Sequence, residues 1–90
     1  MNDKKLNIPG PHKLIKYFRH QYESSHDEHY KNGMSLCEKW ISLLKNPDVH
    51  QGDISDFIAI LNEEKNYGSG WIDLKLQFKA WARHNGFTTG

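Results

Sequence analysis

A single cysteine in 90 residues leaves no pair for an intramolecular disulfide, and it excludes a cysteine-rich zinc site as well. No apolar run approaches the ~18 residues that a membrane-spanning helix needs. The opening residues, Met1 to Pro11, lack the apolar core of a secretory leader. Charge of one sign is scarce too: 12 Lys and Arg against 11 Asp and Glu leave a formal net charge of +1. That is too little to hold nucleic acid by bulk attraction alone. Nor does any useful length alternate polar and apolar residues with the period of two that marks a half-buried strand. These absences predict a cytoplasmic, all-α protein that neither enters a membrane nor depends on disulfides, metal or cofactor.

What is present is aromatic and helical. Three Trp, four Tyr and four Phe supply large side chains for a single thin core, the most that a chain of this length can build. Residues 1–11 are polar and punctuated by Pro9, Gly10 and Pro11, which predicts a flexible segment ahead of one helical domain over residues 12–88. Proline is accepted at the first helical turn, so Pro11 suits the start of helix 1.

From His12 to about Glu23, Leu14, Ile15, Tyr17, Phe18 and Tyr22 gather on one arc, with Lys13, Lys16 and Arg19 opposite. Ser25 and Glu28 have capping-box spacing, so a second helix is expected to begin at Ser25 and run to Lys45. Its stripe would be Tyr30, Met34, Cys37, Trp40, Ile41 and Leu44. Gly33 lies beside that stripe and reads as a close helix crossing, and Asn46-Pro47 ends the helix. Asp53 is the expected cap of a third helix with Ile54, Phe57, Ile58 and Leu61 on one face, broken by the Asn66–Gly70 stretch. Ser69 or Gly70 would cap a fourth helix. Gly86 is placed for a left-handed C-terminal cap, with Phe87 folding back near Ala82. The expected architecture is a compact four-helix domain with short loops, in which helices 3 and 4 could form a helix-turn-helix-like pair.

Chemistry is sparsely signalled. His26 and His29 share a helical turn with Glu23 and Glu28 nearby, but the spacing matches no diagnostic zinc pattern. Cys37 falls on an apolar stripe where a thiolate would be poorly solvated, so it reads as core. Ser24, Ser25 and Ser69 have capping or loop roles, and Gly68-Ser69-Gly70 lacks the strand and Lys-Ser/Thr pair of a phosphate loop. No catalytic set emerges, and a non-enzymatic protein is expected.

The fourth helix carries the functional signal. Wound at ~100° per residue, Trp71, Leu74, Phe78, Trp81 and Ala82 make one stripe, and Ile72, Leu76 and Ala80 make a second. Lys75, Lys79 and Arg83 lie between them. Two stripes suit either a central helix or a helix that reserves one side for a partner. An apolar centre with a charged rim is the make-up of a protein interface, so Ile72, Lys75, Leu76, Lys79 and Arg83 are the candidate partner-binding residues. The partner would be another protein or a second copy, with exposed Trp71 or Tyr67 as an anchor. The alternative is DNA or RNA binding, with residues 71–85 as recognition helix, Lys75 and Lys79 on phosphates and Gln77 or Arg83 at base edges.

Overall fold

The structure is a computed structural model that describes residues 10–66, 68 and 70–89. Tyr67 and Ser69, considered as an anchor and a cap, lie outside the described residues. Four α-helices follow one another as α1 (Gly10–Ser25), α2 (Glu28–Lys45), α3 (Gln51–Leu61) and α4 (Trp71–His84). The described residues contain no strand. Gly10 and Pro11, read as part of the opening segment, belong to α1. Gly10 has a φ of +75°, and Pro11 follows it at the position where a fixed φ and a missing N–H cost nothing.

The junction of α1 and α2 departs from the expected capping box. Ser25 ends α1 rather than starting α2: its hydroxyl donates to the Gln21 carbonyl and accepts from the Asp27 N–H. His26 then takes a left-handed φ of 57°, and its N–H donates to the Tyr22 carbonyl at 2.7 Å. This is the αL way of closing a helix, made with a residue other than glycine. Asp27 becomes the N-cap of α2. At α3 the cap is His50, not Asp53. The Asp53 carboxylate, three residues in, reaches back to accept the His50 N–H at 3.0 Å, as the acid of a capping box does.

The other stops are as the residues suggest. Asn46 is extended before Pro47 and its N–H donates to the Leu43 carbonyl. Gly86 has a φ of +88°. Its N–H donates to the Arg83 carbonyl and that of Phe87 to the Ala82 carbonyl, the paired bonds of a Schellman motif. α3 stops at Leu61, ahead of the glycines. Buried Asn66 then turns its side-chain amide back to donate to the Ile60 carbonyl at 2.8 Å.

Each helix contributes to one core: Leu14 and Phe18, then Leu36, Cys37 and Trp40, then Ile54, Phe57 and Leu61, then Trp71, Leu74, Phe78 and Ala82. On α2 the buried face is rotated toward Leu36 from the expected stripe. Ile41 is only half-buried and Leu44 is exposed. The cause is the crossing at Gly33, where the Phe18 ring presses so closely that a Cβ would meet its Cδ1 at 2.6 Å. Bringing Gly33 against α1 turns the i+3 position, Leu36, inward with it. α1 and α2 form a tight hairpin, and α4 makes close backbone approaches to all three other helices. α3 joins the assembly through α4, where the Phe57 and Phe78 rings stack at 3.9 Å and 11°. Trp71 pins the start of α4 to α2, its indole N–H donating to the His29 carbonyl at 3.0 Å.

Gly33→Ala is therefore a test of the crossing. Alanine is the better helix former by about 1 kcal/mol, but overpacking against a buried ring costs about 1–3 kcal/mol. The expected net result in urea denaturation is a loss of roughly 1–2 kcal/mol. A variant as stable as the parent would mean that the Phe18 ring yields without cost.

Candidate functional site

The two stripes of α4 separate cleanly in solvent exposure. Trp71, Leu74, Phe78 and Ala82 are buried, whereas Ile72 is 67% and Leu76 61% exposed. The helix is central to the packing and leaves Ile72 and Leu76 in solvent. Trp71 is buried at 2% and engaged with α2, so it is a core residue rather than an exposed anchor.

Lys75 and Lys79 are half-buried and Arg83 is exposed. Among the described residues, ion-pair contacts join His29 to Asp27 and Lys65 to Glu63, and none reaches Lys75, Lys79 or Arg83. The Arg83 Nε donates to the Thr89 hydroxyl at 2.9 Å, which ties the residues after α4 to the helix. Gln77 faces the other way. Its side-chain oxygen accepts the Gly10 N–H at 3.1 Å and fastens α1 to α4.

The second stripe does not stop at Leu76. Ala80, one turn on, is half-buried and lines a groove of ≈ 300 Å³ with Trp81, with Pro11 and His12 of α1, and with Trp40 and Leu44 of α2. Leu44 is 41% exposed here. Trp40 beneath it is buried, and its indole N–H has no hydrogen-bond partner among the described residues, a state that costs about 1–3 kcal/mol. Sequence reasoning missed the groove because its walls come from three helices. The only sequence signal was Leu44, an apolar residue near the end of α2 that the rotated face leaves outside.

No family model, curated protein or solved structure matches the chain.

The remaining reactive side chains have structural explanations. Among the described residues, no group of three or more His, Cys, Asp or Glu converges on a point that could hold a metal ion. His29 lies 3.2 Å from the Asp27 carboxylate, while His26 closes α1. The hydroxyls of Ser24 and Ser25 donate to carbonyls one turn back, the usual local bond of a helical serine. No helix of the described residues is long and apolar enough to cross a membrane.

Cys37 is fully buried. Burial, and secondarily the Glu38 carboxylate, pushes its thiol from 9.0 up to about 12. The folded chain therefore keeps this proton across a range in which the unfolded chain has lost it. Stability from this group is complete below a pH of about 9 and is lost as pH rises toward about 12. Denaturation followed across that range should show a shallower alkaline loss for Cys37→Ala than for the parent. Equal slopes would assign the alkaline loss to other groups.

Proposed function

We propose that this chain is a small, cytoplasmic, non-enzymatic regulatory protein that docks through the open face of α4 onto another protein or onto a second copy of itself. The exposure of Ile72 and Leu76, at 67% and 61%, carries this reading. Both sit on a rigid helix whose opposite face is the centre of the core. A preformed helical surface avoids the cost of ordering its backbone on binding, which leaves more of the gain from covering it to appear as affinity. Each of these side chains, taken fully out of water, is worth about 1.5–3 kcal/mol. Ile72, Leu76 and Ala80 form the apolar centre, with Lys75, Lys79 and Arg83 as the polar rim that sets orientation and rate of encounter. Regulation would be stoichiometric: occupancy of this face blocks or bridges whatever the partner otherwise meets.

Nucleic-acid binding through the same helix draws support from the unpaired row of Lys75, Lys79 and Arg83. Three observations favour the protein partner over it. Gln77, a candidate base reader, is committed to Gly10. Leu61 and Trp71 bound a connection over residues 62–70, longer than the ~3–4 residues of a helix-turn-helix. Ile72 and Leu76 occupy the surface that a groove-reading helix fills with polar groups.

Ile72→Lys with Leu76→Glu tests the interface. Because both side chains stand in water, the thermal midpoint should move by a few degrees at most, roughly the effect of 1 kcal/mol or less. Partner capture, or self-association in sedimentation, should be lost. A large fall in the midpoint would show that the pair supports the core, and unchanged association would place the interface elsewhere. The nucleic-acid reading is checked by titrating labelled duplex DNA at low salt against the parent and a Lys75→Ala, Lys79→Ala, Arg83→Ala variant. The expected result is weak binding by both. Tight binding that the three alanines abolish, with a reduced salt slope, would favour a phosphate-reading helix instead.

A further inference from the structure

We infer that the occupant of the α4 face is an acidic amphipathic helix that lays two small apolar contacts on Ile72 and Leu76 and seats a bulkier side chain in the groove beyond Ala80. This rests on the interface reading above and names the chemistry of its partner.

The face and the groove are one continuous track. Ile72, Leu76 and Ala80 follow at intervals of four, and Ala80 is itself a wall of the groove. Eight residues at ~1.5 Å each make the track ~12 Å long, which is two turns of a partner helix. Apolar residues at i, i+4 and i+7 or i+8 match that length, as in other helix-in-groove complexes. The groove's ≈ 300 Å³ accepts one large side chain, and Leu44 and Trp81 at its edge are the surfaces such an anchor would cover.

Charge selects the kind of helix. Lys75 and Lys79 flank the track, Arg83 stands near its far end, and Lys13 opens α1 beside the groove. None of these cations is ion-paired among the described residues. Asp73 lies on the α1 side of the α4 face, near Lys13 and Gln77. Asp or Glu on the partner's flanks would meet the unpaired row, while Lys or Arg there would add like charge. The same row disfavours a second copy. In an antiparallel two-fold helix pair the same flank of each helix meets its mate, so Lys75 and Lys79 would face Lys75 and Lys79.

The test is selection of a displayed library of short helix-forming peptides, randomised at surface positions, on the full chain. The expected peptides carry the three-position apolar pattern with Asp or Glu beside it. Their affinity should fall about tenfold for Lys75→Ala with Lys79→Ala, or on raising salt, as two rim charges allow. Ala80→Phe, which fills the groove, should weaken them about tenfold or more, the worth of one lost anchor. Leu44→Ser serves as the second groove variant should Ala80→Phe fold poorly. Neutral or basic peptides that nevertheless depend on Ile72 and Leu76 would overturn the acidic helix and leave the interface standing. Peptides indifferent to Ile72→Lys with Leu76→Glu, or an empty selection, would overturn both. A dimer in sedimentation that Leu76→Glu dissociates would replace the acidic helix by a second copy.

Discussion

Phe18 organises this fold because two glycines make room for it. Its ring, fully buried, lies where a Cβ on Gly33 would stand at 2.6 Å and a Cβ on Gly70 at 2.9 Å. The first glycine belongs to α2 and the second caps α4, at a left-handed φ of +87°. Phe18 thus fixes how closely α2 approaches and, together with Tyr17, whose Cε2 would stand 2.6 Å from a Cβ on Gly70, where α4 begins. Trp71, the first residue of α4, packs on the same ring with centroids 5.9 Å apart and hydrogen-bonds back to the His29 carbonyl. A larger residue at either glycine would push two helices apart at once, so the cost would be felt across the domain.

From that constraint follows the unusual position of α4. Its start is held by α1 and α2, its middle carries the Phe57–Phe78 stack to α3, and its end is closed by the Schellman bonds of Gly86 and Phe87. A helix held at so many points cannot rotate to hide a second stripe. Ile72 and Leu76 are left in water because burying them would expose Leu74 and Phe78, which are packed without residual exposure. The open face is a geometric remainder of the core, and its charge rim follows from the same phase: Lys75 and Lys79, half-buried, fall at the boundary between inside and outside.

Much of this was legible in the residues. The doubled stripe of α4, the tight crossing at Gly33 and the glycine cap at Gly86 each follow from spacing and from what glycine alone permits. What escaped was set by tertiary choice. His26 takes a left-handed conformation that no glycine announces, so the break between α1 and α2 fell three residues from where Ser25 and Glu28 suggest. Asp53 completes a cap whose other half, His50, is an uncommon capping residue. The inward turn of Leu36 and the outward turn of Leu44 depend on where Phe18 presses on α2, which no periodicity within α2 encodes. Gln77 looked available to a ligand because its partner, the N–H of Gly10, is 67 positions away in sequence.

The attachment of α3 differs in kind from that of its neighbours. Among the described residues its close backbone approaches are to α4 alone, and its hold comes from the buried Ile54, Phe57 and Leu61, the aromatic stack and a two-bond amide clasp between Gln51 and the backbone of Thr88. An element with a single backbone neighbour would leave as one unit if it opened short of global unfolding. Its departure would bare the side of α4 that the Phe57 ring covers. α4 would then be solvated along both flanks, so the steadiness of its exposed Ile72 and Leu76 face is coupled to the packing of α3 on the opposite side.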